Sequence, residues 1–213
     1  MRTIFEYDGL STSQPFTAGG SATTKTITAQ QPAGYTDNNA NLLRFYANDG
    51  VAGKNVSGSR YIQAPSEPKV RLTARFSTPN AEADWNFWWL LLYLYDGTNR
   101  NSVGINWNSA YGVTKAVESF NTGGGQTAIA SAIWTPAQNR QTEIDLVATW
   151  NASGVDPSYD YLRINEWETT TFAADGQSTA GADTKQLFLT HYWSVDDGAT
   201  RYMYLNQMKV QVF

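Results

Sequence analysis

The chain has 213 residues, a formal net charge of −4 and 16% charged residues, the last well below the ~25% usual in soluble proteins. That balance excludes the basic stripe of a general nucleic-acid binder, and the absence of cysteine excludes disulfides and thiolate metal centres. Eight Trp, twelve Tyr and nine Phe can fill a core without covalent staples, and this length suits a single all-β domain, residues 1–213.

No segment carries a 3.6-residue apolar stripe with caps. Period-two segments recur instead between Gly, Asn, Asp and Pro, the signature of a sandwich or barrel. Thr3–Tyr7 is the first expected strand. The start, Met1-Arg2-Thr3, lacks the apolar core of a signal peptide. An intracellular protein, one whose leader was removed, or one released by lysis as virus particles are would all fit. Gly19–Thr28 reads as an extended edge segment, and Leu42–Tyr46 as a strand.

In the next strand Val70, Leu72, Ala74 and Phe76 alternate with Lys69, Arg71, Thr73 and Arg75. Phe87–Tyr95 then forms an unbroken apolar run closed by Asp96-Gly97. It is about half the length of a membrane-spanning helix and suits a strand buried on both faces. Alternation puts Trp88, Leu90, Leu92 and Leu94 on one face and Phe87, Trp89, Leu91, Tyr93 and Tyr95 on the other. The first is core; the second is an aromatic surface packed under something or open to a partner.

Ser102–Trp107, Val113–Phe120 and Ala128–Trp134 are weaker strands. Thr142, Ile144, Leu146, Ala148 and Trp150 alternate with Glu143, Asp145, Val147 and Thr149. Tyr159–Ile164 and Trp167–Phe172 flank a turn at Asn165-Glu166, and Gln186–Trp193 and Met208–Val212 complete the set. About a dozen strands suffice for two packed antiparallel sheets. Asp49-Gly50 and Asp197-Gly198 are tight turns like Asp96-Gly97. Gly123–Gly125 and Asp175–Asp183 read as mobile surface loops, and no repeat or dividing linker is visible.

Three segments resemble the concanavalin A-like lectin/glucanase superfamily. Thr142–Asn151 looks like its central strand before a hairpin, Tyr161–Trp167 is similar to that hairpin, and Tyr204–Val212 looks like the closing strand that returns beside the N-terminal one. The resemblance covers the last third of the chain and implies a two-sheet antiparallel jelly-roll β-sandwich. It implies little about activity.

Glu143-Ile144-Asp145 resembles the start of the family-16 glucanase signature, where a second Glu follows on the same strand face. Val147 and Ala148 stand where that Glu should fall, so a retaining mechanism lacks its proton donor. A lyase would need a base and a group to neutralise a uronate carboxylate. The set available is His191, Tyr192, Arg71 and Arg75, and the lone His191 is in phase with Leu187, Leu189 and Trp193.

Lys69, Arg71 and Arg75 share a strand face. Bordering the aromatic one, they would form a groove for uronic or sulfated glycans, because arginine forks match carboxylates and sulfates. Paired with Asp or Glu on a neighbouring strand, they are ordinary surface charges. The expected ligand-binding residues are Arg71, Arg75, Trp89, Tyr93 and Tyr95. No cofactor is expected. Asp196-Asp197 and Asp37-Asn38-Asn39 offer oxygens to a structural calcium without the spacing of a calcium loop.

The resulting expectation is a non-catalytic surface protein on a virion (phage capsid decoration, tail or fibre) or otherwise extracellular, with glycan recognition. Its partners would be polysaccharide and the other chains of an assembly, a homo-oligomer included, with no nucleic acid and no membrane insertion. The competing readings are a polysaccharide lyase or glycoside hydrolase, and a soluble lectin.

Overall fold

The computed structural model describes residues 1–8, 15–30, 42–48, 54–79, 85–108, 116–119, 127–131, 138–151, 154–172, 176–181, 186–195 and 200–213. The strands in order are β1 (Arg2–Tyr7), β2 (Thr17–Gly19), β3 (Thr24–Gln30), β4 (Leu42–Asn48), β5 (Asn55–Gln63), β6 (Lys69–Ser77), β7 (Trp85–Tyr95) and β8 (Asn99–Asn108). Then follow β9 (Ala116–Ser119), β10 (Thr127–Ser131), β11 (Gln141–Thr149), β12 (Ser158–Ile164), β13 (Trp167–Thr169), β14 (Gln177–Ala180), β15 (Gln186–Val195) and β16 (Arg201–Val212). No helix among the described residues is long and apolar enough to cross a membrane.

All pairings are antiparallel and build two sheets. The first runs β13-β12-β11-β6-β16-β4-β3, with β1 on β16; the second runs β10-β9-β8-β7-β15-β5-β2, with β14 on β8. The expected all-β sandwich is what forms. β1 pairs with β16 from Arg2↔Val212 to Tyr7↔Met208, so the closing strand does return beside the N-terminal one. The Gly19–Thr28 segment supplies β2 and the start of β3, each at a sheet edge.

Alternation explains the core. Val70, Leu72, Ala74 and Phe76 of β6, and Ile144, Leu146 and Ala148 of β11, point inward from the first sheet; Trp88, Leu90 and Leu92 of β7 answer from the second. Phe76 stacks on Trp88 across the interface, ring centroids 4.8 Å apart, and ring stacking adds to the area buried.

Two stretches differ from the sequence expectation. Asn55–Gln63, too rich in Ser and Gly to read as a strand, is β5. Its Gly58 sits where a Cβ would lie 2.8 Å from Phe45 Cε1, so the missing side chain admits a core ring. Asp175–Asp183 is not simply a loop, because Gln177–Ala180 pairs with Asn99–Ser102 of β8. Asp49-Gly50, Asp197-Gly198, Gly123–Gly125, Asp37–Asn39 and Asp196 lie outside the described residues.

One tyrosine closes a gap in the second sheet. The edge of β8 away from β7 is shared by β14, which pairs up to Ser102, and β9, which pairs from Ile105. Gly104 falls between them. Tyr159 of β12, in the other sheet, donates its hydroxyl to Gly104 O (2.8 Å) and accepts from Gly104 N–H (3.1 Å). A Cβ at Gly104 would collide with Leu90 O and lie 2.6 Å from Leu91 Cδ2.

Tyr159→Phe therefore strands a buried peptide N–H and C=O and is expected to cost about 1–3 kcal/mol in urea unfolding. Gly104→Ala should cost at least as much. An unchanged midpoint for both would remove this closure from the account.

Candidate functional site

Arg71 and Arg75 project from the outer face of the first sheet. Arg71 grips both Asp145 oxygens, through Nε (2.8 Å) and Nη2 (2.5 Å). The Asp145 side chain is only 5% exposed, although it points away from the core. The hydrogen bond to Asp145 raises the Arg71 pKa, against an opposing effect of burial. Arg75 pairs with Glu143 at 2.7 Å, and Arg163 reaches the other Glu143 oxygen at 3.9 Å. Lys69 binds Asp160, the extra residue of a bulge in β12. These charges surround a shallow depression of about 200 Å³ bounded by Arg71, Arg75, Glu143, Asp145, Arg163 and Gln207. They satisfy one another, which is the ordinary surface-charge arrangement.

The aromatic residues lie on the opposite side of the molecule. In β7, Trp88, Leu90 and Leu92 belong to the core cluster, whereas Trp89, Tyr93 and Tyr95 face outward and are half-buried. Leu91, on the same outward face, is buried. β6 and β7 sit in different sheets and turn their inner faces toward each other, so their outer faces are back to back. The expected groove joining Arg71 and Arg75 to Trp89, Tyr93 and Tyr95 does not form. The lyase set fails likewise, because His191 lies in the second sheet opposite Leu90 while Arg71 and Arg75 lie on the far side of the first.

Cross-strand register extends the aromatic face. Tyr93 pairs with Phe188 of β15, which pairs with Tyr61 of β5, and Tyr61 is 59% exposed. Tyr192 pairs with Trp89, which pairs with Asn106 of β8. Arg100 pairs with Tyr95, and its guanidinium carbon sits 5.0 Å from the Tyr93 ring centroid. Burial pushes the Tyr93 phenol up to about 12, with Arg100 pulling the other way.

Tyr61, Arg100, Ser102 and Asn106 were not among the sequence-derived candidates. The signal for three of them was present. Asp96-Gly97 sets a tight hairpin in which Asp96 Oδ1 accepts from Thr98 and Asn99 N–H and Gly97 takes φ 96°. Counting across that turn from Tyr95 gives Arg100, Ser102 and Asn106. Among the described residues no three His, Cys, Asp or Glu side chains converge as a metal site would require.

No protein-family model matches the chain, and no curated protein sequence matches it. Its fold does match solved structures. Peanut lectin superposes with a TM-score of 0.56 at 8% identity, covering 99% of this chain and 97% of that one. An endo-β-1,4-glucuronan lyase from the fungus Trichoderma reesei gives 0.55 at 8% identity, with 99% and 96% covered. A carbohydrate esterase from the Shiga toxin-encoding bacteriophage phi24B gives 0.53 at 15% identity, with 99% and 98% covered. The fold is the concanavalin A-like jelly roll.

Two outcomes follow from this geometry. Asp145→Ala leaves the Arg71 fork without its nearly buried acceptor and is expected to cost about 1–3 kcal/mol, whereas Glu143→Ala, among half-exposed groups, should cost under about 1 kcal/mol; paired denaturation curves check the order. The phenols of Tyr93 and of Tyr7, the latter raised to about 12 mainly by burial, hold protons in the folded state that the unfolded chain gives up near 10. Stability should be intact below pH 10 and fall as pH rises toward 12, with late-titrating phenols in ultraviolet absorbance. Phenols that all titrate near 10 would contradict this.

Proposed function

We propose that this chain is a non-catalytic β-sandwich displayed on the surface of a larger particle, a virion, and that it binds carbohydrate through the outward face of its second sheet. The observation that carries the proposal is the half-buried row Trp89, Tyr93 and Tyr95, which turns away from the core on a strand whose other face fills it. Flat rings held by a rigid sheet present apolar surface to the C–H faces of sugars, with little conformational freedom left to lose. Alternate positions on β7 are spaced about 7 Å apart, so the row tracks an extended chain rather than a single ring.

Similar folds support the carbohydrate reading by analogy: a lectin, a glucuronan lyase and a phage carbohydrate esterase share this architecture. The phage source of the third, together with a cysteine-free chain of low charge, supports the virion reading. Arg71 and Arg75 stay outside the platform, because Asp145 and Glu143 hold them on the other sheet. The same pairing disfavours hydrolysis through Glu143 and Asp145. Assembly partners would be other chains of the particle, further copies of this one included.

A glycan array and affinity electrophoresis in polysaccharide gels test the reading. Retention of the protein is expected, weakened at least about tenfold by Trp89→Ala in a variant that still unfolds in one cooperative step. No retention on any glycan, or an unaffected variant, would refute it. Depolymerisation of alginate or laminarin by the protein would refute its non-catalytic part.

A further inference from the structure

Among the described residues, the outward face of the second sheet carries a cation with no ion pair. Arg2, Arg71 and Arg75 each hold a carboxylate, and Arg60 donates to Pro15 O. Arg100 makes no ion pair and no hydrogen bond among the described residues, and its Nε is buried without an acceptor. Its guanidinium lies over the Tyr93 ring. Two hydroxyls share its predicament. Ser102 is fully buried and pairs with Tyr93 across the sheet, yet its Oγ has no partner among the described residues. Thr179 pairs with Arg100 from β14, and its Oγ1 is likewise buried without a partner among the described residues.

Alternation places Arg100, Ser102 and Thr179 on the same face as Tyr93. Buried polar atoms in native proteins are nearly always hydrogen-bonded, so a cluster of exceptions calls for a missing partner. A neutral sugar hydroxyl could meet the two hydroxyls but would leave the guanidinium uncompensated. An anionic substituent with several oxygens answers all three, and arginine is the side chain suited to it.

We propose that Arg100, with Ser102 and Thr179, forms a subsite for the carboxylate or sulfate of an acidic glycan, next to the Tyr93 ring. The subsite rests on the sugar-platform reading and narrows it to acidic polysaccharides. The Tyr93 phenol, kept protonated by burial, adds no competing negative charge.

The test compares retention of the protein on polygalacturonate, on the same polymer with its carboxyls reduced to alcohols, and on a sulfated galactan. Tight, salt-sensitive retention on at least one acidic polymer is expected, with the reduced polymer weaker by about tenfold or more. The acidic polymer retained identifies which anion the subsite takes. Arg100→Gln should lower acidic-polymer affinity to the level of the reduced polymer while leaving the latter unchanged. Arg100→Lys should restore part of it.

Ser102→Ala and Thr179→Val supply a readout that a structural role would not give. Each removes an unpartnered buried hydroxyl, so thermal stability should hold or rise while acidic-polymer affinity falls. Equal binding of acidic and reduced polymers, unaffected by Arg100→Gln, would overturn the subsite and leave the platform standing. Binding to none of the polymers would overturn both. Loss of stability without loss of affinity in the hydroxyl variants would overturn their part in the subsite.

Discussion

β7 is hydrogen-bonded along both edges, to β15 and to β8, so its side chains can only go up or down from the sheet. Half of them meet the first sheet, where Trp88 stacks on Phe76 and Leu90 and Leu92 are sealed in the core. The strand cannot slip by one residue without exposing that set. The core register thereby fixes where Trp89, Tyr93 and Tyr95 stand. The outer row costs the fold little to hold in place, because the inner row already holds it.

The two outer faces of the sandwich solve different problems. On the first sheet, charges on adjacent strands neutralise one another, and Asp145 is drawn almost out of water by the Arg71 fork. Arg44 on the same sheet, its Nε buried without an acceptor among the described residues, rests instead against the Tyr46 and Tyr202 rings. On the outer face of the second sheet stand half-buried aromatic rings, and among the described residues Arg100 has no ion pair there and the Ser102 and Thr179 hydroxyls have no hydrogen bond. The proposed function rests on the outward aromatic row of β7 more than on any motif.

Much of the architecture could be read from alternation alone. β6, β7 and β11 each show one uninterrupted apolar phase, and the jelly-roll resemblance placed β11, the β12–β13 hairpin and the end of β16 correctly. The failures share a cause, which is a break in phase. In β16 the core residues are Met203 and Leu205 before Asn206, and Met208, Val210 and Val212 after it. A bulge between Leu205 and Gln207 reconciles the two halves, but by sequence the alternation begins only at Met208. β5 was hidden by Gly58, a core position that works because it has no side chain.

The site was less legible than the fold. Which sheet a strand joins is a long-range fact, and it decides whether two basic positions on β6 lie beside the aromatic face or behind it. Asp145 and Glu143 are neighbours of Arg71 and Arg75 because β11 pairs with β6, a pairing that no local pattern specifies. Arg100 was within reach through the hairpin, yet its lack of an ion pair among the described residues shows only in three dimensions.

The most direct test of the central claim is a crystal structure of the protein soaked with the oligosaccharide that it retains best. Sugar rings lying over Trp89 and Tyr93 on the second sheet are the result this account predicts. Sugar density against Arg71, Arg75 and Glu143 on the first sheet would contradict it.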